Sequence, residues 1–165
     1  MYTYDEVGNI TSVTDQTGFT TTYGYDLSNR MKSATFNGQT TTYSYDVNGN
    51  REAIEYDGGV REEYTYDKNN RIQTLTNRKS DGTVLSSYQY TYDAAGRWIS
   101  KTDDFGTTFY TYDEVGRIIN VEAPGKTTVY AYDNAGNRKS MQVTYTSEQS
   151  SGYIEPTSGE NLKEK

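Results

Sequence analysis

The sequence has no cysteine and no histidine. That excludes disulfides, thiolate zinc sites, histidine ligation and cysteine- or histidine-based catalysis. Lack of cysteine is compatible with an extracellular setting without requiring one. The only prolines, Pro124 and Pro156, follow Ala123 and Glu155, so no Asp-Pro bond occurs. No apolar run is long enough for a membrane helix, and membrane insertion is not expected. No signal peptide is visible; the chain opens Met1-Tyr2-Thr3-Tyr4-Asp5, already inside a repeat, which reads as an excised piece with an added Met. Positive charge is short too: 16 Lys and Arg stand against 23 Asp and Glu, for a net charge of −7. Nucleic acid is therefore not an expected partner, because affinity for it comes mainly from Lys and Arg neutralising phosphates. Only 32% of residues are hydrophobic, a value that by the usual rule leans toward disorder.

What is present overrides that rule. A Tyr-x-Tyr-Asp motif recurs seven times, as Tyr2, Tyr4 and Asp5; Tyr23, Tyr25 and Asp26; Tyr43, Tyr45 and Asp46; Tyr64, Tyr66 and Asp67; Tyr90, Tyr92 and Asp93; Tyr110, Tyr112 and Asp113; and Tyr130, Tyr132 and Asp133. Successive aspartates lie 21, 20, 21, 26, 20 and 20 residues apart, a period that decides the architecture before any local reading. Tyrosine carries a large buriable ring with a polar tip, and both Tyr and Thr favour strands.

Three residues after each aspartate stands Gly8, Asn29, Gly49, Asn70, Gly96, Gly116 or Gly136. Gly and Asn are the residues that most readily take positive φ. Asp opening a type I turn, with a left-handed residue three positions on, predicts a tight reversal with the carboxylate bonded to nearby backbone N–H groups. The aspartates read as turn caps and not as calcium ligands, since a 20-residue spacing spreads them along an edge. Five residues after the aspartate an apolar residue is frequent (Ile10, Met31, Ile72, Trp98, Ile118), and another at eight (Val13, Ala34, Ile54, Leu75, Val121, Met141). A separation of three breaks strict alternation, so either a bulge lies between them or one faces outward.

A second turn follows in each repeat, at Thr17-Gly18, Asn37-Gly38, Asp57-Gly58-Gly59, Asp81-Gly82, Phe105-Gly106 and Pro124-Gly125. Each repeat is thus two short strands and two turns. The expected fold is all-β: an antiparallel meander of repeated β-hairpins, about 13 strands, in a curled or spiralling single sheet. The seven repeats span 2–145. The longer fourth spacing places a protruding loop at Asn77-Arg78-Lys79-Ser80-Asp81-Gly82, and the polar tail 146–165 reads as disordered. Tyrosines aligned on one face of a one-layer sheet stay half exposed unless something covers them.

Tyr112-Asp113-Glu114-Val115-Gly116-Arg117-Ile118 and Tyr92-Asp93-Ala94-Ala95-Gly96-Arg97-Trp98 resemble the repeat Tyr-Asp-x-x-Gly-Arg-hydrophobic of the YD-repeat, or RHS (rearrangement hotspot), family. Gly106-Thr107-Thr108-Phe109-Tyr110 resembles the approach to each copy, and the likeness covers about residues 2–145. The resemblance implies large bacterial secreted or surface proteins, toxin-complex subunits or animal teneurins, with repeats wound as a spiralling sheet into a hollow shell. In bacterial members the shell encloses a toxin domain, and a core segment often cleaves itself near an Asp-Pro sequence. This chain has no Asp-Pro, so self-cleavage is not carried over. The implied partners are further repeats and a toxin domain of a parent protein, and the implied location is extracellular or the bacterial cell surface.

No catalytic, metal or cofactor residues are assigned. Adjacent carboxylates such as Glu62-Glu63 point to opposite faces of a strand and cannot work as a pair. No phosphate-binding loop, nucleophile elbow or metal motif occurs. The expectation is a non-enzymatic structural segment of a β-shell. One alternative is a carbohydrate- or cell-surface-binding module that stacks sugar on exposed tyrosines; it competes with the rings being core, and Trp98 is the only tryptophan. Self-association through exposed sheet edges is a further expectation.

Overall fold

A computed structural model of the chain describes residues 1–146. All of its regular structure is β-strand, as the Tyr- and Thr-rich runs between turn residues require. The chain divides into two units within one strand. The first, Met1–Thr107, contains β1 (Tyr2–Tyr4), β2 (Ile10–Thr14), β3 (Thr20–Tyr25), β4 (Met31–Phe36), β5 (Gln39–Tyr45), β6 (Arg51–Glu55), β7 (Arg61–Tyr66), β8 (Ile72–Arg78), β9 (Val84–Tyr92), β10 (Trp98–Asp103) and the start of β11 (Gly106–Tyr112). The second, from Thr108 onward, contains the rest of β11, β12 (Ile118–Ala123), β13 (Lys126–Tyr132) and β14 (Arg138–Tyr145). Within each unit strand order is chain order and the pairings are antiparallel. The strands number fourteen, not about thirteen, because both the first and the last repeat contribute a complete pair.

The register settles the question left by the apolar spacing: there is a bulge. Tyr23 lies opposite Ala34 and Tyr25 opposite Met31, so a two-residue step on β3 faces a three-residue step on β4, with Lys32 left over. The same shift recurs where Tyr64 and Tyr66 face Leu75 and Ile72, and where Tyr110 and Tyr112 face Val121 and Ile118. It is present in all seven motif hairpins. One extra residue per hairpin therefore keeps both apolar positions opposite the two rings, on one face of the sheet.

Turns between motif hairpins are of more than one kind. Asn37-Gly38 is a two-residue connection with both φ positive (49° and 78°), as a type I′ turn demands. At Asp15, Tyr56 and Lys79 the carbonyl instead accepts from the N–H of Gly18, Gly59 and Gly82 at 3.3, 2.8 and 2.9 Å. The expected protruding loop is absent. Asn77 and Arg78 join β8, where Arg78 pairs with both Arg61 and Val84; residues 79–82 form a turn like those at Asp15 and Tyr56, and β9 extends over nine residues. Paired strand satisfies backbone groups that a loop of the same length would leave to water. The expected disordered tail lies outside the described residues from 147 on; Thr146 is described, and its N–H donates to the Gly125 carbonyl at 3.0 Å.

Burial is shallow, as one layer dictates. Among the described residues only Ala53, Ile54, Ser100 and Thr128 are buried. Twelve of the fourteen motif tyrosines are half-buried, and Tyr2 and Tyr4 are exposed. The rings are thus neither the closed core nor the open platform that the sequence posed as alternatives.

Gly8 isolates the conformational requirement of the motif turn, since its φ is +93° and no atom lies within 4 Å of an added Cβ. Gly8→Ala is expected to lower unfolding free energy by about 1–2 kcal/mol, the cost of left-handed backbone for an L-residue. Gly8→Asn is expected to cost less, because Asn29 and Asn70 hold the equivalent place at φ 59°. Urea melts of the three proteins check the order.

Candidate functional site

The seven motif turns share one hydrogen-bonded design. Each aspartate N–H donates to the carbonyl four residues on, and the N–H three residues on donates back to the aspartate carbonyl; at Asp67 these distances are 2.9 and 3.0 Å. The left-handed residue is where the sequence placed it, with φ of 93°, 59°, 86°, 59°, 85°, 87° and 89° from Gly8 to Gly136. At Asp26 the Oδ1 accepts the N–H groups of Ser28 and Arg30 at 2.8 and 2.9 Å. Asp5, Asp46, Asp67, Asp113 and Asp133 do the same with their own second and fourth neighbours. Each carboxylate is therefore engaged inside its own turn, and no group of acidic residues able to hold a metal forms among the described residues.

The other carboxylate oxygen identifies residues that the sequence reading passed over. It accepts from the side chain four residues on: Asn9 at 2.9 Å, Arg30 at 2.8, Asn50 at 3.0, Arg71 at 2.7, Arg97 and Arg117 at 2.6, and Asn137 at 3.2. The signal was available, since that position holds only Asn or Arg in all seven copies. These side chains also reach the next repeat. Asn9 Nδ2 donates to Asn29 Oδ1 at 3.2 Å, and Asn50 Nδ2 to Asn70 Oδ1 at 2.9 Å. The guanidinium groups of Arg30, Arg71 and Arg117 lie 4.4–4.6 Å from the ring centres of Tyr45, Tyr92 and Tyr132.

The second tyrosine of a motif reaches back the other way. Tyr25, Tyr45, Tyr66, Tyr92 and Tyr132 donate their hydroxyls to the carbonyls of Ile10, Met31, Arg51, Ile72 and Ile118 at 2.7–2.9 Å. The acceptor is always the first strand residue of the preceding repeat, beside the bulge. Among the first tyrosines of the motifs, Tyr90 stacks on Trp98 of its own hairpin with centroids 5.1 Å apart.

One repeat departs from the rest. Glu62 accepts hydroxyls from both Tyr56, at 2.8 Å, and Tyr64. Burial first, and then the Glu62 carboxylate, push the Tyr64 hydroxyl above its ordinary range; at Tyr56 the bond to Glu62 is the larger cause of the same upward direction. Glu63 pairs instead with Arg78 at 2.9 Å and Arg61 at 3.0 Å, on the opposite face, and the Arg78 bond holds its pKa down. The two neighbouring carboxylates are thus separated by the strand, as expected.

The turn aspartates are all held below the ordinary carboxylate value. The Asn9 side chain is the largest cause at Asp5 and the Arg71 side chain at Asp67. The backbone N–H of Arg30, Arg97 or Asn137 leads at Asp26, Asp93 and Asp133. At Asp46 and Asp113 desolvation is the largest single influence and acts upward, but the combined hydrogen bonds outweigh it.

A family model described as RHS Repeat matches residues 4–36 and 112–149. No curated protein matches the sequence. Among solved structures, a mutant Tc holotoxin pore of Photorhabdus luminescens is similar over 88% of this chain, with 24% identity and a TM-score of 0.77. The assemblies titled TcdB2-TccC3-Cdc42 and TcdB2-TccC3 are similar over 90%, at 23% and 22% identity and TM-scores of 0.79 and 0.77. In each case this chain spans 9% of the length of the chain it resembles. At such identity the likeness is one of fold. Neither the half-buried rings nor these likenesses lend support to the sugar-stacking alternative.

Two outcomes are expected. Tyr45→Phe and Tyr92→Phe each remove one inter-repeat hydrogen bond and keep the ring, so each is expected to cost about 0.5–1.5 kcal/mol, and the two to add; chemical denaturation of the singles and the double measures both. The folded-state pKa values of the turn aspartates lie below their ordinary 3.8. Their contribution is therefore fully present above that value and is lost as pH falls through the folded values. Thermal melts are expected to hold level from neutrality to about pH 5 and to fall below it. Asp67→Asn is expected to be less stable at neutral pH and to show a shallower acid decline.

Proposed function

With the chain an array of RHS/YD repeats, we propose that it forms a wall: a non-catalytic stretch of β-shell in a larger secreted, toxin-associated protein of bacterial type, enclosing or presenting a toxin domain. The observation that carries this reading is the tyrosine ladder. Twelve rings stand half-buried on a single-layer sheet, held in line by hydroxyl bonds from each repeat to the one before it. Such a face supplies lateral cohesion and leaves one surface to be covered. In a shell that cover is the enclosed material and the neighbouring wall.

The likeness to Tc toxin assemblies supports the reading at the level of fold, and the small share of those chains that is matched suits one part of a long repeat wall. The turn aspartates, each closed within its own hairpin, serve as caps in this scheme. The motif residues from Tyr2 to Asp133 are assigned as structural, and no cofactor is assigned.

Hydroxyl-radical footprinting read by mass spectrometry tests the proposal. The isolated array is compared with the longest product of the reading frame that encodes it. Several-fold protection of Tyr23, Tyr43, Tyr64 and Tyr130 in the longer protein is expected. Equal oxidation of the tyrosines in both would refute an enclosing role for this face.

A further inference from the structure

The side chain four residues after each motif aspartate and the backbone position three residues after the next one follow a matching rule, and we infer that this rule decides which repeats pack side by side. In sequence, Asn9 is followed by Asn29 and Asn50 by Asn70, whereas Arg30, Arg71, Arg97 and Arg117 are followed by Gly49, Gly96, Gly116 and Gly136. Asn is never followed by Gly, nor Arg by Asn.

Side-chain length is the physical reason. An asparagine tied to its own aspartate is short, and it reaches the next turn only where another side chain comes to meet it: Nδ2 of Asn50 stands 2.9 Å from Oδ1 of Asn70. An arginine tied in the same way already spans the gap. Arg71 covers the Tyr92 ring and donates through Nη1 to the Asp93 carbonyl at 3.1 Å. Its Nη1 would lie 3.9 Å from a Cβ placed on Gly96, and that of Arg117 the same distance from one on Gly136; for Arg30 and Gly49 the distance is 3.7 Å. A Cβ alone is tolerated there, but the amide of an asparagine beyond it would compete with the guanidinium for space. Backbone preference does not dictate the choice, since Asn29 and Asn70 occupy the left-handed position at φ 59° without difficulty.

The rule also describes the partner that each terminal edge fits. At the β1 edge, Gly8 and the exposed ring of Tyr4 fit a repeat with arginine four after its aspartate, its guanidinium over Tyr4 and a strand carbonyl beneath the Tyr4 hydroxyl. At the β14 edge, Asn137 fits a repeat with asparagine three after its aspartate. Joining two copies head to tail sets Asn137 against Gly8, the combination that no internal junction uses. The self-association expected from bare edges is thereby disfavoured by side-chain chemistry. This deepens the shell reading by stating which repeats can continue the wall, but the rule is tested inside the chain, so either can fail without the other.

Two double-mutant cycles run in opposite directions on the full chain. In one, Arg71→Asn and Gly96→Asn each lower Tm by ~2–4 °C, and the double variant recovers a substantial part of the summed loss. In the other, Asn50→Arg and Asn70→Gly behave likewise. Additive losses in both cycles overturn the rule. Asn137→Arg then tests the edges: sedimentation velocity is expected to show head-to-tail association about tenfold tighter than wild type, a match created between Arg and Gly8. Equal association of the two proteins overturns the assignment of the edges.

Discussion

One extra residue in each motif hairpin sets everything lateral in this structure. A flat ladder would pair the two tyrosines with residues two apart and turn one apolar side chain to the wrong face. The bulge lets positions five and eight after the aspartate sit opposite the two rings together. It also sits beside the carbonyl that the next repeat's tyrosine hydroxyl takes up. The apolar stripe and the hydroxyl ladder are therefore two consequences of one irregularity, and bulges also add twist that a long flat sheet lacks.

The choice of tyrosine follows from having a single layer. Four residues among those described are buried, so no closed core can carry the stability, and cohesion has to come from neighbour to neighbour, as in other repeat architectures. A phenylalanine ladder would offer similar area but leave the carbonyls beside the bulges unpaired and the face prone to aggregation. Tyrosine combines ring area with a polar tip, and at Tyr25, Tyr45, Tyr66, Tyr92 and Tyr132 that tip has a strand carbonyl as its acceptor. Arginine adds to this at Tyr45, Tyr92 and Tyr132 by lying on the ring while bonded to its own turn aspartate, so one side chain joins turn, ring and adjacent repeat.

Much of this is legible without coordinates. Gly or Asn three residues after each aspartate announces a left-handed turn position, and all seven adopt positive φ. The second-turn signals all mark turns. Glu62-Glu63 reads correctly as a pair divided by the strand. Other features resist such reading for identifiable reasons. A bulge and an outward-facing residue leave the same one-dimensional spacing, so Met31 and Ala34 could not distinguish them. Extra residues between Asp67 and Asp93 read as a loop because they are polar, yet polar side chains are at home on the open face of a one-layer sheet, and the strands simply grew. The asparagine or arginine after the left-handed residue is conspicuous in sequence, but its acceptors belong to two different turns.

The sequence by itself determined the period, the hairpin, the placement of every motif turn and the alignment of the rings, because these depend on local backbone preference and on strict spacing along one chain. Tertiary structure alone decided how deeply the rings are covered, where the hydroxyls and guanidinium groups find their acceptors, and which neighbouring turns match. Those depend on distances between residues some twenty positions apart, and such distances exist only once register and bulge have brought adjacent hairpins together.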